Sequence, residues 1–336
     1  MTNHAMLLER TGPVEGDPLG PATVDVPAPG RRQIRIAVKV CGVCHTDLHT
    51  VEGELAPRPL PIVPGHQVVG TVEACGDGVT RFPVGRRVGV AWLFRTCGRC
   101  RFCRRGEENL CPRAEFTGYD APGGYGERLV IDEDFAYELA AGLPDEQTAP
   151  LMCAGIIGYR ALRLSGVSRG GCLGLYGFGA SAHVTIQIAR HLGCRVFAFS
   201  RGESHRELAR RLGAEWCGRA EEEPPEKLDG SIVFAPAGEI VPRALEHLDR
   251  GGTCALAGIY MTEIPPLDYE RHLYYERNLR SVTASTRRDG QELLHLAAGA
   301  GVRTQVTEFP LQEANRALQL LKAGRIDGAA VLRVRP

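Results

Sequence analysis

In Gln33-Ile34-Arg35-Ile36-Ala37-Val38-Lys39-Val40 isoleucine and valine fall on every second position, which predicts a half-buried strand. The turn-rich stretches after it, PRPLPIVPG and CGDGVTRFPVG, predict many short strands joined by long loops, as in a barrel-like β domain. From about residue 151 the pattern changes. Short apolar runs at 172–176, 195–200, 231–235, 253–257 and 280–285 read as strands, and 182–192, between the first two, reads as a helix. Strands alternating with helical segments predict βαβ units on a parallel sheet. The acidic, proline-bearing piece 221–226 reads as an exposed connection. Near the end, 311–321 places Ala314, Ala317, Leu318 and Leu321 on one helical face, with Gly324 as a stop, and 329–334 reads as a last strand. The expectation is therefore an α/β chain of two domains. One is formed by 1–150 and 288–336, and the other by 151–287.

Composition narrows the function classes. Lysine plus arginine (40) balances aspartate plus glutamate (40), so a nucleic-acid or membrane-surface partner gains no support. No apolar run reaches the roughly 18 residues needed to span a bilayer. The opening MTNHAMLLERTGPVEGD lacks the basic-then-apolar layout of a secretory signal, which makes the cytoplasm the expected compartment. Twelve cysteines in a long, unsignalled chain point to metal ligands rather than disulfides.

Their spacing carries that point. Cys97-x2-Cys100-x2-Cys103-x7-Cys111 can close a tetrahedral zinc site entirely with protein thiolates, which makes its role structural. The rival is an iron–sulfur cluster, which also uses Cys-x2-Cys-x2-Cys, but the gap of seven before Cys111-Pro112 fits it poorly. A second group is Cys41-Gly-Val-Cys44-His45-Thr46-Asp47-Leu48-His49, then Gly65-His66-Gln67, then Cys153. Two thiolates and an imidazole suit a catalytic zinc, which keeps one position open. Taken singly, Cys41 and Cys153 read as core thiols and His66 as a hydrogen-bonded loop histidine. Only the combination argues for metal.

The third motif is Leu173-Gly174-Leu175-Tyr176-Gly177-Phe178-Gly179-Ala180-Ser181-Ala182. It follows one predicted strand and opens a helix, the context that a dinucleotide fingerprint requires. Gly177 allows the tight turn, Gly179 lets the pyrophosphate approach the backbone, and Ala182 is small enough for helix–strand packing. Gly174, Phe178, Ala180 and Ser181 complete the candidate cofactor loop.

In this order the three motifs resemble the zinc-containing alcohol dehydrogenases of the medium-chain dehydrogenase/reductase family, over essentially the whole chain. CGVCHTDLH is the most specific part. The resemblance implies a discontinuous GroES-like β-barrel catalytic domain, with a structural zinc lobe at about 95–112, and a Rossmann domain. By that match Cys44, His66 and Cys153 hold a catalytic zinc, Cys97, Cys100, Cys103 and Cys111 hold a structural zinc, and Cys41 is a bystander. Thr46 bonds the substrate oxygen, His49 ends a proton relay through the cofactor ribose, and Asp47 orients the ligand histidine. Trp92 forms an aromatic pocket wall. The implied partners are a small alcohol or aldehyde and further copies of the chain, as a homodimer or homotetramer.

Three positions depart from the family pattern. Gln67 stands where a glutamate is usual, so a carboxylate near the metal is lost. Ala329 replaces an arginine facing the cofactor phosphates. The acidic residue expected after the second Rossmann strand is missing, and Ser200-Arg201 follow instead. An acid there binds the ribose 2′-hydroxyl of NAD and repels a 2′-phosphate, so Ser200 and Arg201 favour NADP, with His205 and Arg206 adding to the positive field. Two other readings stand beside this one. The chain is a degenerate dinucleotide-binding sensor or structural protein without turnover, or it is a polyol or formaldehyde dehydrogenase.

Overall fold

A computed structural model describes residues 1–57, 59–139 and 142–335. The chain folds into two compact units, one of Met1–Cys153, Ala284–Ala298 and Thr304–Pro336, the other of Ala154–Thr283 and Gly299–Arg303.

The first unit is built on a seven-stranded sheet. Its long strand Gln33–Val43 pairs with Gln67–Cys75, Arg128–Asp132 and Ala329–Arg333, all antiparallel. Arg87–Val90 and Ala136–Glu138 extend the sheet on one side, and Val306–Pro310 closes the other. The alternation read in 33–40 is observed, with Ile34, Ile36, Val38 and Val40 buried between half-buried and exposed neighbours. The strand then runs three residues further, because Cys41, Gly42 and Val43 are buried on both faces and lose the polar alternation. This extension delivers Cys44 directly to the N-terminus of helix His45–Glu52.

The second unit carries a six-stranded parallel sheet in the order Trp216–Gly218, Arg195–Phe199, Cys172–Tyr176, Leu228–Val233, Leu248–Leu256, Asn278–Ser281. Cys172–Tyr176 is buried at all five positions, as expected of a strand covered on both faces. Helix Ala180–His191 follows it. The two units are therefore a GroES-like barrel and a Rossmann fold, an α/β chain.

Sequence reading and structure differ at several strands. Leu248–Leu256 starts five residues before the apolar run, because its first half, Asp249-Arg250-Gly251, is exposed and polar and hides the strand. Leu228–Val233 likewise begins earlier through exposed Asp229. Asn278–Ser281 ends early; Ala284, at φ +49°, takes the backbone out of the extended region before 285. The stretch 311–321 opens as a 3-10 turn, Leu311–Glu313, before helix Ala314–Lys322. Among the described residues no helix is long and apolar enough to cross a membrane.

Candidate active site

Cys44 caps helix His45–Glu52, and its N–H donates to Asp47 Oδ2 at 2.9 Å. The other oxygen, Oδ1, lies 3.1 Å from His66 Nδ1. His66 is thereby held by a carboxylate on one nitrogen while Nε2 faces the Cys44 sulfur at 3.5 Å. Cys153 Sγ lies 4.0 Å from Cys44 Sγ. A tetrahedral zinc with ligands near 2.3 Å has ligand–ligand edges of about 3.8 Å, so these separations and this donor set fit the ion. The residue before His66 must be glycine. Gly65 has φ +96°, and a Cβ there would sit 2.3 Å from Tyr125 Cδ1.

The electrostatics are those of buried groups sharing a small volume. The neighbouring Cys153 thiol and burial push the Cys44 thiol well up. Burial alone would lower His66, but Asp47 and Cys44 outweigh it and raise the imidazole to about 10. A divalent cation among these donors inverts the balance, because coordination deprotonates a thiol and takes up the imidazole lone pair. Asp47 then fixes the ring orientation, as carboxylate partners of ligand histidines generally do.

Four thiols form a second cluster. The donor atoms of Cys97, Cys100, Cys103 and Cys111 all lie within 4.8 Å of one another. Cys103 Sγ is 4.0 Å from Cys97 Sγ and 3.5 Å from Cys100 Sγ. Backbone N–H groups point at the sulfurs: Cys100 N–H to Cys97, Cys103 N–H to Cys100, and Cys97 and Arg113 N–H to Cys111, at 3.3–3.5 Å. Such donors stabilise negative sulfur. The backbone near Arg99 chiefly, with help from Arg113, draws the Cys97 thiol down to about 5. This set fits a closed structural zinc site in a segment that has little regular structure of its own. Between the first and last of these cysteines there is one four-residue helix, Arg101–Arg104, and one 3-10 turn, Glu108–Leu110.

Thr46 is 8% exposed at the start of the helix, and His49 follows one turn later. Gln67 is buried opposite Gly42, and its Nε2 has no hydrogen-bond partner among the described residues. Trp92 stands edge-on to the His66 ring, with centroids 4.9 Å apart. It stacks on Phe116 at 5.0 Å and tilts against Tyr119 at 5.7 Å. The aromatic wall is therefore three residues deep. Phe116 and Tyr119 gave no sequence signal, because they flank a turn whose return toward Trp92 depends on the Thr117 N–H bonding the Trp92 carbonyl at 2.8 Å.

In the second unit Gly177 has φ +87°, and a Cβ there would lie 2.9 Å from the Ala235 nitrogen. A Cβ on Gly179 would meet nothing within 4 Å, so the space before the helix is open. Gly179 caps Ala180–His191 without a side-chain bond, which leaves its first amides for an anion. Phe178 and Ala182 are buried, and Gly174 lies within the central strand. Ser200 follows the next strand, 8% exposed, with its hydroxyl 3.5 Å from His205 Nδ1. Arg201 is exposed. Arg206 is committed elsewhere: it donates to the Ser200 and Arg201 carbonyls at 2.6 and 2.9 Å and pairs with Glu203. Ala329 is buried in its strand and brings no charge.

The chain is similar to known proteins in both sequence and fold. Residues 30–141 match the alcohol dehydrogenase GroES-like domain, and residues 182–299 match the zinc-binding dehydrogenase domain. A probable alcohol dehydrogenase of Mycobacterium tuberculosis is 48% identical, covering 98% of this chain and 97% of its own. An alcohol dehydrogenase of Geobacillus stearothermophilus is 36% identical, covering 94% and 96%. The solved cinnamyl alcohol dehydrogenase of Sorghum bicolor superposes with a TM-score of 0.90 at 28% identity, over 99% of this chain and 98% of its own. The chain belongs to the zinc-type alcohol dehydrogenases of the medium-chain dehydrogenase/reductase family, nicotinamide-linked oxidoreductases of alcohols and aldehydes.

Proposed function

We propose that the chain interconverts a primary alcohol and its aldehyde with NADP(H), using a catalytic zinc at Cys44, His66 and Cys153 and a structural zinc at Cys97, Cys100, Cys103 and Cys111. The catalytic portion is residues 1–150 and 288–336, the cofactor portion is 151–287, and the working form is a homodimer or homotetramer. The observation that carries the reading is the donor triangle, with edges of 3.5 and 4.0 Å at Cys44 and with His66 braced by Asp47. Zinc bound there supplies a Lewis acid that polarises the substrate oxygen.

The chain's own side chains do the rest. Thr46, two residues past Cys44, hydrogen-bonds the substrate hydroxyl and gives its proton a way out. His49 receives that proton and releases it to water. Asp47 keeps His66 in one orientation. Gln67 keeps the shape of a glutamate without its charge, leaving one negative charge fewer beside the site. Trp92, with Phe116 and Tyr119 behind it, excludes water on one side and favours apolar substrates. A nicotinamide held at loop 177–181 would supply the hydride acceptor or donor for the substrate carbon.

NADP preference rests on the end of strand Arg195–Phe199. The two residues after it, Ser200 and Arg201, bring no carboxylate. The Ser200 hydroxyl and the exposed Arg201 guanidinium suit a 2′-phosphate, whereas Arg206 is largely neutralised by Glu203. The test is kcat/KM for an aldehyde with NADPH and with NADH, in wild type and Ser200→Asp. Wild type should favour NADPH at least about tenfold. The variant should lose roughly a hundredfold with NADPH and reverse the preference, because a carboxylate faces the doubly charged phosphate. Equal or better wild-type kcat/KM with NADH refutes the assignment.

A further inference from the structure

In the first unit, strands Arg87–Val90 and Ala136–Glu138 pair antiparallel, with Gly89 opposite Tyr137. Helix Arg287–Ala300 packs on the Tyr137 ring so closely that a Cβ on Gly290 would lie 2.4 Å from its Cε1, so the approach requires glycine. Leu293 and Ala297 form the buried face of that helix. Gln291, Leu294, His295 and Ala298, spaced i, i+3, i+4 and i+7, share one side. A groove of about 740 Å³ lies between this side and residues 81, 85–87 and 137–139. None of these residues belongs to either metal cluster.

The lining combines cations with apolar surface. Arg81, Arg86 and Arg87 bring three positive charges against the one carboxylate of Glu138. Arg87 is held by Asp145 at 2.6 Å and by the Thr148 hydroxyl at 3.0 Å. Arg81 donates to the Glu133 carbonyl at 2.8 Å and lies 3.8 Å from Asp134. Arg86 pairs with Glu138, but the two side chains are 50% and 62% exposed, so water screens the pair and it opens at little cost. Leu139, Leu294 and Ala298 supply the apolar surface. Tyr137 is 3% exposed, and its hydroxyl has no hydrogen-bond partner among the described residues. Burial raises its titration well above the ordinary tyrosine range, so it stays a donor. The charges near it are taken, Arg287 by Glu108 at 3.2 Å and Asp289 by the Thr286 hydroxyl at 2.7 Å. A buried donor without an acceptor is costly, and an anion in the groove removes that cost.

We propose that this groove binds a small organic anion, a negatively charged head on a compact apolar body. The head takes the place of Glu138 on Arg86 and accepts the Tyr137 hydroxyl. The body packs on Leu139, Leu294 and Ala298, and His295 flanks it. The volume is that of a site for an organic ligand rather than a bare ion. The site shares no residue with the hydride-transfer chemistry and stands independently of the function proposed above.

The test titrates zinc-loaded enzyme, saturated with NADPH, with phenyl phosphate, and separately with inorganic phosphate as the bare head. Calorimetry and NMR of 13C-labelled histidine are read together, the His295 resonance being identified by its absence in His295→Gln. Phenyl phosphate should bind with a Kd of about 0.1–1 mM and shift His295 with the same midpoint. Inorganic phosphate should bind at least about tenfold more weakly. Arg86→Glu and Leu294→Glu, each placing a carboxylate in the groove, should weaken phenyl phosphate at least about tenfold. Tyr137→Phe should weaken it roughly three- to tenfold. Circular dichroism checks that the variants are folded. No saturable binding, or binding that leaves His295 unshifted, overturns the site. Wild-type affinity in both folded glutamate variants does the same, since the anion then sits elsewhere. Equal affinity for inorganic phosphate overturns the assigned ligand class.

Discussion

Cys44→Ser should lower kcat/KM on the order of ten-thousand-fold, with the fold retained and bound zinc reduced from two ions per chain to one. The serine hydroxyl is not ionised at neutral pH, so the site keeps only Cys153 and His66 as strong donors. Too few ligands remain to hold a metal that supplies several kcal/mol of charge stabilisation. The fold should survive because Cys44 only terminates strand Gln33–Val43, whose core is Ile34, Ile36 and Val38. Elemental analysis, circular dichroism and steady-state kinetics on one preparation check the three parts. Activity within tenfold of wild type would remove this cluster from the chemistry.

Cys100→Ser should act in the opposite way. The lobe has little regular structure, and all twelve cysteines are free, so no disulfide holds it in place of a metal. Structural zinc in small peptides is worth about 10–16 kcal/mol. Loss of half of that should lower the first thermal transition by about 10 °C or more. Folded protein assayed well below that transition should keep kcat/KM within about threefold, since no residue of the lobe is assigned to the substrate. Thermal unfolding of wild type beside Cys100→Ser checks the first part, and kinetics at low temperature the second. An unchanged transition would mean that the thiol cluster is not a stabilising metal site.

What could be read from the sequence follows the distance over which each feature is built. Cys97, Cys100, Cys103 and Cys111 lie within one short segment, so spacing alone suggests their assembly. The dinucleotide loop is likewise local, a strand, Gly177-x-Gly179 and a helix. Cys44, His66 and Cys153 are different. Their meeting depends on strand Gln33–Val43 pairing with Gln67–Cys75, which no spacing reveals; residue chemistry suggests the set, and the resemblance to a family is needed to choose Cys44 over Cys41. Phe116 and Tyr119 carry no sequence signal because Phe116 sits in a two-residue strand, Glu115–Phe116, and Tyr119 in the turn after it, both too short to show a period. The strand Leu248–Leu256 reads short in the sequence because its exposed polar half does not look like a strand from a buried parallel sheet.

The central claim is turnover at a zinc site rather than mere binding of a dinucleotide. Its most direct test is NADPH oxidation by the purified chain with a panel of aldehydes, before and after removal of the labile metal by a chelator, and again after zinc is restored. The account predicts aldehyde-dependent oxidation that falls to background on chelation and returns with zinc. Binding of NADPH with no aldehyde-dependent oxidation in any zinc-loaded sample, or turnover indifferent to removal of the metal, would contradict it.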